Sequence, residues 1–228
     1  MQDAENVSAK PQVILFDVYE TLLDMSDLER KVNDLFDSSK GYIVWFELFM
    51  EYCFVANCPN QYQEFAAIAK ATMQMAGNKM GRSIRESDIE FVLEMLKHLP
   101  VHENVPEGLS ELIDKGYRIA ALTNSPEEVV CERMERTGLI SYFENVLSAE
   151  KVKKYKPSLE VYEWAARKLG AGTKDIMLVS GHSWDIVGAA SAGMQTAFLK
   201  KGKQLLYPLA PKPTLVCGSL TDFVNQLG

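Results

Sequence analysis

Hydrophobic and polar positions alternate with two different periods along this chain of 228 residues. Short apolar runs of strand length lie at residues 13–16, 119–122 and 176–179, and shorter ones near 146 and 199. Between these runs, apolar residues recur every three or four positions, which is typical of amphipathic helices. Because strands and helices alternate in the second half of the chain, the pattern predicts an α/β fold. We expect a doubly wound, Rossmann-like parallel sheet.

A long segment of helical character separates the first strand from the rest of this pattern, which resumes near Pro100. Pro59-Asn60 and the glycine-containing stretch 77–79 are interpreted as turns between its helices. We therefore predict two domains. Residues 1–22 and 101–228 form the Rossmann-like core, and residues 23–100 form an all-helical cap domain inserted into it.

Polar side chains follow the predicted strands at the points where these end. Asp17 follows the first strand, residues 123–125 follow the second, and residues 180–185 follow the strand at 176–179. Lys156 stands before Pro157, which we interpret as the first turn of a helix. Ligands of open α/β sheets bind outside the carboxyl ends of the strands, so these residues are expected to share one crevice. Taken alone, each of them also suits an ordinary turn.

Four sequences in this order resemble the haloacid dehalogenase superfamily of hydrolases: DVYETL at 17–22, LTNS at 122–125, KYKP at 154–157 and VSGHSWD at 179–185. The form Asp-x-Tyr-x-Thr-Leu is similar to that of its 2-haloacid dehalogenase branch, the type that acts on L-2-haloacids. The resemblance extends from about Val13 almost to the C-terminus. It implies an enzyme with an aspartate nucleophile, a Rossmann-like core and a helical cap.

Tyr19 separates this branch from the phosphatases of the superfamily. Phosphatases carry a second aspartate there, because the departing alkoxide needs a proton, whereas a halide ion leaves without one. A phenol with a pKa of about 10 is a poor substitute for that acid, although Tyr19 also suits a packing role. The phosphatases bind Mg²⁺ with a further acid at the position of Gly181. Asp185 is then the one carboxylate that remains besides Asp17, and this is too few ligands for a cation that prefers several oxygens. We therefore predict no metal and no other cofactor.

The resemblance implies covalent catalysis on small 2-halocarboxylates, in which the nucleophile displaces halide and water then cleaves the aspartyl ester. The residues implied in catalysis are Asp17, Lys156, Asp185 and Thr21. The residues implied in substrate binding are Tyr19, Thr123, Asn124, Ser180, Tyr162, Trp184, Phe46, Tyr62 and Phe65.

Individual roles follow from the same resemblance. Lys156 neutralises the nucleophile and Thr21 orients it, while Asp185 pairs with Lys156 and helps to position the hydrolytic water with support from Ser180. Thr123 seats the substrate carboxylate and Asn124 faces the halogen. Tyr162 bonds within the polar cluster, Trp184 walls the pocket, and Tyr62 and Phe65 line it from the cap. The aromatic residues among them also suit plain core packing.

Three positions depart from the dehalogenase pattern. Phe46 stands where the family has arginine, Glu20 where it has glycine, and His182 where it has asparagine. No arginine stands near Phe46 in the sequence to receive the halide. Lone loop histidines are usually structural or solvated, so no role is assigned to His182. Two alternatives stay open. The first is a divergent hydrolase without dehalogenase activity, for which weak phosphatase activity is one option. The second is a non-catalytic binding protein on the same fold.

The formal net charge of −7 and the lack of a basic stripe argue against nucleic acid or an anionic membrane as a partner. The four cysteines form no Cys-x-x-Cys pair and lie far from the histidines, which argues against structural zinc and favours reduced thiols. No apolar run has the length of a membrane span. We expect a cytoplasmic enzyme with a small anionic substrate, and the aromatic cap also suits a homodimer interface.

Overall fold

The computed structural model describes residues 10–200, 202 and 204–227, so residues 1–9, 201, 203 and 228 of the predicted core lie outside the described part. Six parallel strands form one sheet in the order β3-β2-β1-β4-β5-β6. Their bounds are β1 Val13–Phe16, β2 Arg118–Thr123, β3 Asn145–Ser148, β4 Ile176–Ser180, β5 Gln195–Leu199 and β6 Leu215–Cys217.

Strand β1 lies at the centre of the sheet, and all four of its apolar residues are buried. Phe16, its last residue, pairs with Ala121 of β2 on one side and with Val179 of β4 on the other. The strand order reverses at β1, since β2 and β3 lie to one side and the later strands to the other. Such a reversal opens a crevice at the carboxyl ends of the strands. Asp17 is the first residue beyond β1 at this edge.

Helices alternate with the later strands up to β5, as the hydrophobic pattern predicts, and one more follows β6. These helices are α5 Val105–Asp114, α6 Glu127–Arg136, α7 Leu159–Leu169, α8 Ser183–Ser191 and α9 Leu220–Gln226. Ser219 caps α9 because its hydroxyl accepts a hydrogen bond from the amide of Asp222 at 3.0 Å. One expectation was wrong. Pro157 does not lie in the first turn of a helix, since α7 begins at Leu159 after the N-cap residue Ser158.

The inserted segment folds into four helices between β1 and α5: α1 Ser26–Phe36, α2 Gly41–Val55, α3 Phe65–Lys79 and α4 Glu86–Lys97. They form the predicted helical cap, in which the indole of Trp45 donates to the carbonyl of Ala69 at 3.2 Å and joins α2 to α3. The two segments that connect cap and core run side by side, since Leu23 forms a bridge with Val101. The boundaries at 22/23 and 100/101 stay a prediction.

The turn expected at residues 77–79 is wrong, because α3 continues through Lys79. Gly77 has a packing role instead. A Cβ atom at this position would lie 2.8 Å from the carbonyl oxygen of Arg82, so the glycine allows the chain to pass closely over the end of the helix. The backbone amide of Arg82 donates to the carbonyl of Gly77 at 2.8 Å.

Among the residues that the structure describes, none of the helices combines the length and the apolar character that a membrane span requires. Cys53, Cys58, Cys131 and Cys217 are free thiols, and the first and last of them are buried.

Candidate active site

Asp17 lies at the carboxyl end of β1 with its backbone amide donating to the carbonyl of Val179 at 3.0 Å. Its carboxylate is buried and held from two sides. Oδ1 accepts from the ammonium of Lys156 at 2.7 Å. Oδ2 accepts from the hydroxyl of Thr21 at 2.9 Å and from that of Ser180 at 3.4 Å. The carboxylate is therefore fixed in one orientation by partners from three segments of the core.

Lys156 is 1% exposed, and three acceptors surround its ammonium group. Besides Asp17, the ammonium donates to Oδ2 of Asp185 at 2.7 Å and to the carbonyl of Leu122 at 3.0 Å. All of its N–H donors are thus used. Burial lowers the pKa of Lys156, but the negative charges of Asp17 and Asp185 outweigh this effect and raise it. The lysine is therefore a fixed positive charge.

The charge state of Asp17 follows from the same contacts. Burial alone raises the pKa of its carboxyl, but Lys156 and then His182 favour the charged form, and the pKa is lowered overall. Asp17 is therefore a carboxylate at neutral pH, as a nucleophile has to be.

Asp185 is fully buried, and both of its carboxylate oxygens are engaged. Oδ2 accepts from Lys156, and Oδ1 accepts from the hydroxyl of Tyr162 at 2.6 Å. Burial and the charge of Asp17 raise the pKa of Asp185, and Lys156 only partly offsets this increase. This carboxyl serves as the second anchor of the lysine.

Further hydrogen bonds fix the loops that carry these groups. The hydroxyl of Thr21 accepts from the amide of Gly181 at 3.1 Å, and that of Ser180 accepts from the amide of His182 at 3.0 Å. The loop after β1 is therefore tied to the loop after β4, its neighbour in the sheet.

The loop after β2 is tied to the lysine segment in the same way. Oδ1 of Asn124 accepts from the backbone amide of Lys156 at 2.8 Å. The hydroxyl of Thr123 accepts from the amide of Ser125 at 3.1 Å and shapes the turn. Thr123 is fully buried, whereas Asn124 reaches the pocket described next.

A pocket of about 20 Å³ opens between core and cap over Asp17. This volume accommodates one water molecule. The residues lining it are Asp17, Tyr19, Met25, Trp45, Phe46, Phe49, Met50, Phe65, Leu96, Asn124, Lys156, His182 and Trp184.

The predicted site residues divide between this pocket and the layer behind it. Those that line the pocket are Asp17, Lys156, Tyr19, Asn124, Phe46, Phe65 and Trp184. Those that lie behind the wall and hold it are Thr21, Thr123, Ser180, Tyr162 and Asp185. Tyr62 lies outside the pocket lining, where its ring stacks on that of Tyr155 with a centroid distance of 5.5 Å.

Sequence reasoning missed Arg133, a residue of α6. It is 0% exposed and donates to the hydroxyl of Tyr19 at 3.1 Å and to the carbonyl of Leu96 at the end of α4. The guanidinium also lies 5.0 Å from the centre of the Tyr19 ring. Ser125 donates a second hydrogen bond to the same hydroxyl at 2.7 Å. A buried cation thus lies directly behind a pocket residue. It belongs to a helix that is as rich in charged residues as a surface helix.

Two departures from the family pattern meet in space. His182 lines the pocket, and its Nε2 lies 3.7 Å from Oδ2 of Asp17 and 3.5 Å from Oε2 of Glu20. The imidazole stacks between Trp184, at 5.0 Å between ring centroids, and Phe46, at 6.1 Å. The third departure, Phe46, therefore forms one wall of the histidine's site.

The chain matches the model of the family described as Haloacid dehalogenase-like hydrolase over residues 14–199. Because this match covers most of the chain, the protein belongs to this family of hydrolases. The family membership, the fold class and the enzyme class predicted from the sequence are confirmed.

Relatives from the 2-haloacid dehalogenase branch are similar to this chain along most of its length. The (S)-2-haloacid dehalogenase of Pseudomonas sp. (strain YL) is 25% identical over 214 residues, which cover 93% of this chain and 92% of that protein. (S)-2-haloacid dehalogenase 4A of Burkholderia cepacia is 26% identical over 200 residues, covering 86% and 87%. The structure of L-2-haloacid dehalogenase from Xanthobacter autotrophicus with chloropropionic acid covalently bound shares the fold with a TM-score of 0.85 at 18% identity, covering 95% of this chain and 98% of that one.

The residues around Asp17 do not fit the magnesium site of the superfamily's phosphatases. Gly181 offers no side-chain ligand at the position of the second acid, and both oxygens of Asp185 are bound to Lys156 and Tyr162. Among the residues that the structure describes, no group of three His, Cys, Asp or Glu side chains is arranged to hold a metal ion.

Proposed function

We propose that this protein is a metal-independent hydrolase of the 2-haloacid dehalogenase type, which displaces halide from small 2-halocarboxylates through an aspartyl ester. The observation that carries the proposal is the arrangement of Asp17. Its carboxylate is buried, its pKa is lowered, and the ammonium of Lys156 lies 2.7 Å away, at the base of an aromatic pocket. We further propose that the enzyme acts in the cytoplasm.

In the first step, a carboxylate oxygen of Asp17 attacks the carbon that carries the halogen. The new C–O bond forms as the carbon–halogen bond breaks, and the bonding electron pair leaves with the halide. Lys156, Thr21 and Ser180 hold the nucleophile in place, so little orientation has to be gained at the moment of reaction. The covalently bound chloropropionic acid in the Xanthobacter relative supports an intermediate of this kind.

The leaving halide needs hydrogen-bond donors, and Phe46 supplies none. Asn124 and Tyr19 line the pocket and carry suitable groups. The hydroxyl of Tyr19 accepts hydrogen bonds from Ser125 and Arg133. Its own hydrogen stays available for a further hydrogen bond, which we propose that it donates to the halide. We assign the role of the missing arginine to this tyrosine, with Arg133 making its hydroxyl a stronger donor.

The charge of the site favours a substrate with a single negative charge. The carboxylates of Asp17 and Asp185 share the ammonium of Lys156, so a phosphate dianion would meet more repulsion in this site than a monoanion does. A monoanionic carboxylate is more readily accommodated. Because Thr123 lies behind the pocket wall, we propose that it helps to seat this carboxylate indirectly, by shaping the turn next to Asn124.

The test is halide release from L-2-chloropropionate and chloroacetate, measured with EDTA and with added Mg²⁺. We expect release that survives EDTA and is abolished in Asp17→Asn, which keeps the size of the side chain but removes the nucleophile. Full activity of Asp17→Asn would exclude the covalent mechanism. Magnesium-dependent hydrolysis of phenyl phosphate without halide release would favour the divergent phosphatase instead.

Phe46 favours that second candidate, a divergent hydrolase, because the family's arginine is absent there. Phe46→Arg tests whether the missing cation limits dehalogenation. Increased halide release in this variant shows that the dehalogenase machinery is otherwise complete. A variant that folds but releases no more halide than the wild type indicates that Tyr19 already serves as the donor, or that the substrate is of another class; the phenyl phosphate assay distinguishes the two.

A further inference from the structure

The second half of the proposed reaction needs a group that removes a proton from the hydrolytic water. Asp185 is poorly placed for this step. It is fully buried, it does not line the pocket, and Lys156 and Tyr162 occupy both of its oxygens. The base should instead face both the pocket and the carboxyl carbon of Asp17.

His182 meets these requirements. It is 8% exposed and lines the pocket, and its Nε2 lies 3.7 Å from Oδ2 of Asp17. This separation is too long for a direct hydrogen bond but suits a water molecule held by both groups. The imidazole is fixed by its stacking on Trp184 and Phe46.

Glu20 is a partner of this histidine, and it adopts an unfavourable backbone conformation. Its φ angle is +58°, in the left-handed region that disfavours side chains other than glycine. The carboxylate accepts from the hydroxyl of Tyr42 at 3.1 Å, and Oε2 lies 3.5 Å from Nε2 of His182. A strained residue whose side chain is held against a site residue is a sign of function.

We propose that His182 is the general base of the hydrolytic step and that Glu20 is its positioning residue. This inference rests on the proposed function. Nε2 takes a proton from water as the water oxygen bonds to the carboxyl carbon of the Asp17 ester. The bond from that carbon to the ester oxygen then breaks, and the departing 2-hydroxycarboxylate oxygen takes the proton from His182. Asp17 is left with one oxygen from water and releases the second proton of the water to solvent.

The charges around His182 explain why Glu20 matters in this step. In the free enzyme the imidazole faces the carboxylates of Asp17 and Glu20, with Lys156 behind Asp17 and Tyr42 behind Glu20. Ester formation removes the charge of Asp17, so Glu20 is then the facing carboxylate that stabilises the imidazolium. The rings on either side are uncharged.

The experiment separates ester formation from ester hydrolysis with L-2-chloropropionate as the probe. His182→Asn is compared with the wild type and with His98→Asn, a matched change at an exposed histidine on the end of the cap. Halide is followed through the first turnover in a quenched-flow instrument, and the Asp17 peptide is examined by mass spectrometry for the propionate ester. Circular dichroism and thermal melts establish that each variant is folded.

In His182→Asn we expect a first-turnover release of halide like that of the wild type, followed by a steady-state kcat lower by about 10²-fold or more. The ester accumulates on Asp17, because no imidazole is then present to take the proton from water. Glu20→Gly relieves the backbone strain yet slows the same step, and Glu20→Gln recovers part of the rate.

Other outcomes overturn the proposal. Wild-type turnover and no trapped ester in His182→Asn would remove His182 from the hydrolytic step. If a folded His182→Asn variant releases no halide in the first turnover, His182 acts in ester formation, and the assignment is equally overturned. If the wild type releases no halide and no variant carries an ester, the proposed function fails, and the assignment of His182 fails with it.

Discussion

Replacing Lys156 with methionine removes the one ammonium that lies between two buried carboxylates, and it therefore tests the electrostatic design of the site. The wild-type lysine is 1% exposed and contacts Asp17 and Asp185 at 2.7 Å each. Breaking a buried ion pair by removing one partner costs about 3–5 kcal/mol, because the remaining charge is left without compensation. For a chain of this length, that cost lowers the melting temperature by roughly 6–20 °C.

The cost of Lys156→Met should depend on pH in a defined direction. Burial raises the pKa of both Asp17 and Asp185, and in the variant the lysine no longer opposes this effect. A carboxyl with a raised pKa in the folded state destabilises that state above its unfolded pKa of about 3.9. The penalty is therefore largest at pH 8 and decreases as the pH falls through the raised values, when the carboxyls bind protons.

Urea denaturation at pH 5 and pH 8 measures this difference. Lys151→Met is the matched control, because Lys151 pairs with Glu127 at the surface and both side chains are about half exposed. We expect the control to lose little stability at either pH. An equal cost of Lys156→Met at both pH values would refute the reasoning, since it would show that the two carboxylates are not left as uncompensated charges.

Two further substitutions test the packing behind the pocket. Arg133→Met removes the donors to the hydroxyl of Tyr19 and to the carbonyls of Leu96 and Lys97. The free energy of unfolding, measured by urea denaturation, should fall by about 1–3 kcal/mol. An unchanged midpoint would contradict the bridging role of Arg133 between α6 and α4. Gly188→Ala places a Cβ atom 2.5 Å from the hydroxyl of Tyr162, and should cost about 1–3 kcal/mol and reduce turnover by displacing that tyrosine from Asp185. Gly218→Ala is its control, because a Cβ atom there meets only Asp222 at 3.9 Å. Equal effects of the two glycine changes in melting and in halide-release assays would argue against this explanation.

The sequence was sufficient for the parts of the site that follow strand ends. Asp17 lies where the apolar run of β1 stops, and the order of the sheet brings its loop next to those after β2 and β4. Lys156 could be predicted from the neighbouring proline and the order of the motifs, although the helix begins later than expected. These features are local, so a pattern of apolar and polar residues is enough to locate them.

The parts that could not be predicted depend on contacts between distant segments. Arg133 lies among charged residues on α6, and nothing in that stretch shows that one arginine turns inward beneath Tyr19. Glu20 and His182 each suit a solvated loop, and their relation emerges only when β1 and β4 pair. The sequence around Tyr62 suits a residue that lines the pocket, but its ring stacks on that of Tyr155 instead.

The central position of β1 also has a consequence for biosynthesis. Asp17 and Ser180, which meet across neighbouring strands, are 163 residues apart in the chain. At a synthesis rate of about 5–20 residues per second, β1 emerges from the ribosome roughly 8–30 s before its second neighbour is complete. During this interval the cap helices are already available, whereas an apolar edge of β1 is still unpaired. Slow elongation through residues 100–180 should therefore favour aggregation of the nascent chain, and added chaperones should raise its yield.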